Sequence, residues 1–294
     1  MKTYLGIDVG GSSIKYGLVQ ENGNISNQGK YKVPQTIELF YDSIVELANR
    51  FPEIEGIGLS MPCAVDVENG RTSGSSAIDY ILNSEIRATL QPRINKPIEL
   101  DNDANCAALA EVWIGNASDV NDSCFVVCGS GIGGAVIKDK KIHRGKHFLG
   151  GEFGDSIHYF DYETKTFKNW SEFGATSSVI RFVASKLNVD PTSLNGQIIF
   201  DSQDSNPIYK EAVDRFYYNL AIGIYNIQYS FDPERIIVGG GISERPEMVE
   251  ELNIRIDVIM DTLEITYDRP EIYTCKYHND ANIIGAVYHL MTRL

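Results

Sequence analysis

The residues best placed to do chemistry in this chain are carboxylates and glycines at recurring positions. Asp101-Asn102-Asp103-Ala104-Asn105 ends an apolar stretch, PIELDNDA, and opens a helix-like one, ANCAALAEVWIG. A hydroxyl is a poor nucleophile, and a carboxylate within hydrogen-bond reach can take its proton during phosphoryl transfer. Asp103 suits that role, because the end of a buried strand is a rigid mount for a catalytic group. A plainer reading competes for the same residues, since Asp and Asn are both favoured helix N-caps. Four polar side chains are more than one cap needs, which leaves at least one to face a ligand.

Three glycine turns accompany the acidic run: Asp8-Val9-Gly10-Gly11-Ser12-Ser13, Gly129-Ser130-Gly131-Ile132-Gly133-Gly134 and Gly239-Gly240-Gly241-Ile242-Ser243. Glycine lets backbone approach a phosphate and aim N–H groups at it. Three such turns suggest one nucleotide held by two lobes. Asp8 ends an apolar strand, where an uncompensated carboxylate is costly. It either caps its turn or holds Mg²⁺ through water. Lys15, slightly further on, reaches a phosphate or merely solvent. The second turn formally matches G-x-G-x-x-G, but that dinucleotide fingerprint needs a helix directly after the glycines. Here the β-branched GGAVIKDKK follows, so a hairpin tip that cradles phosphate fits better, with a tight ligand-free hairpin as the alternative. A further cluster, Gly150-Gly151-Glu152-Phe153-Gly154-Asp155, offers Glu152 either to sugar hydroxyls or to solvent.

The elements that must position these groups read as α/β. TYLGIDV, IKYGLV and the stretch after Glu21-Asn22-Gly23-Asn24 predict a three-stranded meander. Ile37, Phe40, Ile44, Leu47 and Ala48 have helical spacing over 36–51. IEGIGLSMP and PIELDNDA are strands, and the helix after Asp103 ends near a polar loop at 115–122. The pattern then restarts as strand SCFVVC, glycine turn and strand GAVIKDK, a faint repeat of domain size. Val213, Phe216, Leu220, Ile224 and Ile227 predict a long helix over 208–230, halted at Asp232-Pro233. RIIVGGGIS is a strand entering the third turn, and DANIIGAVYHLMTRL a closing helix. The expected division is a first lobe over 1–115, with 280–294 packing back on it, and a second lobe over 116–279 that carries the oligomer contacts.

Composition narrows the partners. The 294 residues are 43% hydrophobic and 22% charged, with a net charge of −14. That charge opposes non-specific nucleic-acid binding. No apolar stretch is long enough to span a bilayer, and no signal-like hydrophobic region precedes the first acidic residue. An odd number of cysteines (Cys63, Cys106, Cys124, Cys128 and Cys275) without a signal predicts a reduced cytoplasmic setting. Cys124 and Cys128 read as buried strand residues. His143, His147, His158, His278 and His289 do not fall at metal-ligand spacing with the cysteines.

Taken together, IDVGGSSIKYGLV, GIGLSMPCAVD, LDNDANCAALAE, GSGIGGAVI, HRGKHFLGGEFGD and IIVGGGIS span the chain. In that order they resemble the ROK family of sugar kinases and repressors within the actin-like ATPase superfamily. The resemblance implies a two-lobed, ribonuclease H-like α/β fold with ATP and a sugar in the cleft between lobes. It implies Asp103 as catalytic base, and Asn102, Glu152, Glu172 and Asp155 around the sugar. Asp8, Gly10, Gly11 and Ser12 would line the first phosphate loop, Gly131 and Gly133 the second, and Gly240 and Gly241 the adenosine side. ATP with Mg²⁺, a hexose-type acceptor and a homodimer follow from the same resemblance, while the net charge and the lack of a membrane-length apolar stretch oppose nucleic-acid and membrane partners. Two departures stand out. The family often has a His at the position of Asp155, followed by a cysteine-rich zinc motif. HYFDYETKTFKNWSEFGATSS has no cysteine, so no structural zinc is expected. The family usually has Gly where this chain has Cys63. A zinc-free branch is similar in its NWS and HxDAN-like segments, here Asn169-Trp170-Ser171 and His278-Asn279-Asp280-Ala281-Asn282.

Overall fold

The computed structural model describes all 294 residues. They form two compact units: residues 1–119, 141–150 and 279–294, and residues 120–140 and 151–278. The chain opens with strands β1 (Thr3–Val9), β2 (Ser13–Gln20) and β3 (Ile25–Lys32), then helix α1 (Ile37–Arg50), β4 (Ile57–Met61), the short hairpin β5 (Ala64–Asp66) and β6 (Arg71–Ser73), α2 (Ile86–Leu90), β7 (Ile98–Asn102) and α3 (Asp103–Ile114). The main sheet of the first unit runs β3-β2-β1-β4-β7. Its first three strands are antiparallel neighbours, and β1, β4 and β7 are parallel. β4 is buried along its whole length and β1 along nearly all of it, as central strands covered on both faces are. β3 is half exposed, with the polar sequence of an edge.

Register does the positioning. Asp8 pairs with Ser60 across β1 and β4, and Ser60 with Asp101 across β4 and β7. Three polar residues therefore stand in one row near the C-terminal ends of three parallel strands, where open α/β sheets place ligands. α1 turns Phe40, Tyr41, Ile44, Leu47 and Ala48 inward and is capped by the Thr36 hydroxyl. Each large side chain so buried contributes about 1.5–3 kcal/mol.

The second unit begins with β8 (Ser123–Cys128) and β9 (Ile132–Lys138), an antiparallel hairpin with the second glycine turn at its tip. β10 (Lys141–Ile142) then opens residues 141–150, which cluster with the first unit rather than with the second lobe expected from sequence. Within them Arg144 is ion-paired with Asp101 of the first unit. The second unit resumes with β11 (Ile157–Asp161), β12 (Thr166–Asn169), α4 (Trp170–Gly174), α5 (Thr176–Leu187), α6 (Gly196–Asp201), α7 (Pro207–Phe231), β13 (Arg235–Gly239), α8 (Met248–Thr262) and β14 (Ile272–Thr274). β8, β13 and β14 are parallel, so this sheet repeats the plan of the first. α7 stops at Asp232, whose φ of 45° is the left-handed end of a helix. Trp170 lies wholly buried against it, the indole N–H donating to the Asn219 carbonyl at 3.0 Å. Where the family resemblance placed a zinc motif, β11 and β12 form a hairpin backed by aromatic contacts. His158 stacks on Trp170 with ring centroids 5.4 Å apart, and Tyr159 meets Phe173 edge-on.

The last helix, α9 (Ala281–Met291), belongs to the first unit and lies on β1 and β4. It sits so close that a Cβ on Gly58 would fall 2.2 Å from the Ala286 carbonyl oxygen, and one on Gly285 1.6 Å from that of Cys106 in α3. Glycine is the residue that fits at both. No helix is long and apolar enough to cross a membrane.

Candidate active site

In the first unit the polar row is buried and hydrogen-bonded. Asp8 Oδ1 accepts from Ser60 Oγ at 3.0 Å and from Asn282 Nδ2 of α9 at 2.9 Å. Asp101 is fully buried, and its carboxylate accepts from the Asn102 backbone N–H at 2.8 Å, from Asn105 Nδ2 at 3.0 Å and from both Arg144 terminal nitrogens at 2.9 and 2.6 Å. The pairing offsets the cost of burying the charge.

Asp103 is the first residue of α3 and is half-buried. Its Oδ1 accepts from its neighbour Ala104 N–H at 2.8 Å and from Asn102 Nδ2 at 2.9 Å, so the carboxyl is held at the strand end. The cap itself is Asn102, whose Oδ1 accepts from the N–H groups of Ala104 and Asn105. Its second amide hydrogen goes to the Cys63 carbonyl at 3.2 Å. The Asn102 amide is thus committed to protein partners, and a sugar hydroxyl would have to displace one. Cys63 is buried beside this cluster; burial first, and then the charge of Asp103, push its thiol up to about 12, so it stays protonated. The first glycine turn closes with Gly10 N–H donating to the Ser13 carbonyl at 3.0 Å. Gly11 and Ser12 are exposed.

In the second unit the glycine turn is strapped to the start of α5. The Gly129 carbonyl accepts from the Thr176 N–H at 2.9 Å and its hydroxyl at 2.7 Å, and the Ser130 carbonyl from Ser177 Oγ at 2.7 Å. Ser171 Oγ accepts from Ile132 N–H at 3.0 Å. Thr176 and Ser177 were not singled out from sequence, where the small polar run ATSS after the EFG triplet was their only trace, and Ser171 entered only as part of the Asn169-Trp170-Ser171 segment. A Cβ on Gly129 or Gly133 would meet nothing within 4 Å, and one on Gly131 only Ser171 Oγ at 3.8 Å. None of the three has positive φ. Neither backbone conformation nor protein packing asks for glycine there, so the loop is a bare strip of backbone that something else can approach.

Glu152 and Asp155 are exposed and share one short turn. Local desolvation, and then the charge of Asp155, raise the Glu152 carboxyl above its ordinary value. Asn169 joins Asp155 to Glu172: its Nδ2 lies 3.5 Å from Asp155 Oδ1, and its Oδ1 accepts from the Glu172 N–H at 3.1 Å. Glu172 is also exposed. At the third turn Gly240 has φ +85°, and a Cβ there would lie 2.3 Å from the Cys128 carbonyl oxygen, so this glycine serves the turn itself. Gly241 has open space at that point. It lines a cleft of about 650 Å³ with Thr176, Ile180, Gln197, Phe200 and Arg245. Arg245 lies over the Phe200 ring and pairs with Asp201. Of this cleft, sequence reasoning pointed only to Gly241.

The model of the ROK family matches residues 4–293. The chain is 30% identical over 290 residues to the beta-glucoside kinase of Listeria innocua serovar 6a, covering 97% of this chain and 96% of that one. It is 26% identical over 310 residues to an N-acetyl-D-glucosamine kinase of Vibrio parahaemolyticus, covering 97% and 98%. Among solved structures, a ROK family protein from Streptococcus pneumoniae TIGR4 in complex with sucrose superposes with a TM-score of 0.90 at 34% identity, covering 99% of this chain and 98% of that one. A family model that spans almost every residue, together with relatives matched end to end, shows that the chain belongs to the ROK family.

Proposed function

We propose that the protein is an ATP-dependent kinase of a hexose-type sugar, acting at the 6-hydroxyl with Asp103 as general base. The observation that carries this reading is that the chain has both a carboxylate held at a strand end and a glycine turn in which the Cβ positions of Gly129 and Gly133 are vacant. The relatives named as sugar kinases support it. The turn at Gly129–Gly134 would take the ATP phosphates on its backbone, with Gly131 and Gly133 in contact, and Gly10, Gly11 and Ser12 would line the first phosphate loop. The cleft beside Gly241 is large enough for an adenosine, and Phe200 and Ile180 give it apolar walls. Asp8, with Oδ1 engaged by Ser60 and Asn282, is the carboxylate that would hold Mg²⁺ through water. The metal supplies charge neutralisation on the phosphates.

Glu152, Asp155 and Glu172 would accept hydrogen bonds from sugar hydroxyls and so orient the ring. Asn102 contributes chiefly by fixing Asp103. Asp103 takes the hydroxyl proton as that oxygen bonds to the γ-phosphorus and the bond from phosphorus to the ADP oxygen breaks. Consumption of ATP by the purified protein with Mg²⁺ tests this across hexoses, N-acetylhexosamines and β-glucosides. Strong stimulation by one sugar class, with a 6-phosphate as product, is the expected result. Folded protein that none of these sugars stimulates would overturn the reading.

A further inference from the structure

Two groups take no direct part in the reaction just described: the buried Asp101 carboxylate and the partly exposed Arg144 guanidinium clamped on it. We propose that Arg144 is a positioning residue for Asp103, acting through Asp101 and Asn102. The inference rests on the kinase reading and goes beyond it by assigning a role to a residue outside the expected site.

The connection is short and continuous. Both Arg144 terminal nitrogens donate to Asp101, at 2.9 and 2.6 Å, the two-pronged geometry that fixes orientation as well as distance. The Asp101 oxygen that accepts the first of these also accepts the Asn102 N–H at 2.8 Å. The Asn102 side chain in turn caps α3 and donates to Asp103 Oδ1 at 2.9 Å. His289 lies 3.5 Å from the other Asp101 oxygen, but burial holds it down to about 4. It is therefore neutral near pH 7, and Arg144 is the cation paired with Asp101. Backbone bonding gives Arg144 a second hold. Its carbonyl accepts from the Gly150 N–H at 3.0 Å, closing the loop where the chain leaves the first unit, two residues before Glu152. One residue thus ties down both the strand end that carries the base and the departure point of the segment that carries Glu152.

Residues that merely stabilise and residues that position differ in their coupling to the base. Arg144→Met is expected to lower kcat about 10- to 100-fold, the scale of a small misplacement of a reacting group. The KM for ATP should stay within about twofold. In an Asp103→Asn background the same change should alter the residual turnover less than about twofold, because there is no base left to place. Arg144→Lys keeps the charge and loses the fork, so it should show the same background dependence with a smaller loss. It also serves as the variant of record if Arg144→Met does not fold. Equal proportional losses in both backgrounds, or an unchanged kcat in Arg144→Met, would overturn the proposal. Wild-type turnover in Asp103→Asn alone would overturn the base assignment itself, and that outcome is distinguishable because it appears without any change at Arg144.

Discussion

At the tip of the β1–β2 hairpin a Cβ on Gly10 would lie 3.0 Å from the Ser13 carbonyl oxygen, and one on Gly11 3.0 Å from Ala77 Cβ; at the β8–β9 tip, one on Gly129 or Gly133 would meet nothing. The acids follow the same division. Asp8 and Asp101 are buried and hydrogen-bonded inside the first unit, whereas Glu152, Asp155 and Glu172 stand exposed in the second. Two sheets of one plan have been put to different uses. The first buries its acids among hydrogen-bond partners, while the second leaves backbone and carboxylates exposed.

The largest effect that can sharpen this contrast is Asp103→Asn. It should lower kcat by about 10²–10⁴-fold as a lost general base, while the thermal midpoint barely moves. Near-normal turnover would break the idea that the rigid half holds the base.

Gly133→Ala and Gly10→Ala form the direct test. The first should raise the KM for ATP about tenfold, equivalent to about 1.4 kcal/mol, with the unfolding midpoint unchanged or slightly raised. The second should lower the midpoint by a few degrees, because a tight contact at 3.0 Å has to relax. Equal thermal losses in both variants would erase the distinction. A smaller effect is expected for Glu172→Gln. It should weaken sugar KM by about 3- to 10-fold, on the order of 1 kcal/mol for one hydrogen bond, without changing the KM for ATP.

The mildest test concerns acid stability of the first unit. His289 is held down to about 4 by burial, against the pull of Asp101, with Arg144, Arg293 and Arg87 adding to the depression. The unfolded chain binds a proton near pH 6.5 that the folded chain refuses until about pH 4, so stability falls as pH drops through that window. The full difference is on the order of 3 kcal/mol. His289→Gln should flatten this part of the profile relative to wild type in thermal melts at stepped pH. An unchanged slope would mean that other groups carry it.

Much of the scaffold was legible because its signals are local. Apolar runs gave the strands, helical spacing gave α1 and α7, and β-branched residues after Gly134 gave a hairpin instead of a helix. Asp103 could be picked out because a strand end and a helix start meet at one acidic residue. The pairing of Arg144 with Asp101 could not, since the two are far apart in sequence and nothing in HRGKHF announces a partner. The commitment of the Asn102 amide was hidden for a related reason: one of its partners is the carbonyl of Cys63, and carbonyls leave no trace in residue type. The cleft beside Gly241 is assembled from α5, α6 and the turn after β13, so no single stretch signals it.

The close seat of α9 on β1 and β4 bears on how the protein is made. β1 leaves the ribosome well before α9, so the sheet face around Gly6 and Gly58 stays bare until the residues past 280 have been made. The second unit, by contrast, has all its residues once His278 has emerged. Because domains fold as units while the chain grows, the half of the molecule that is translated first is the half that is completed last.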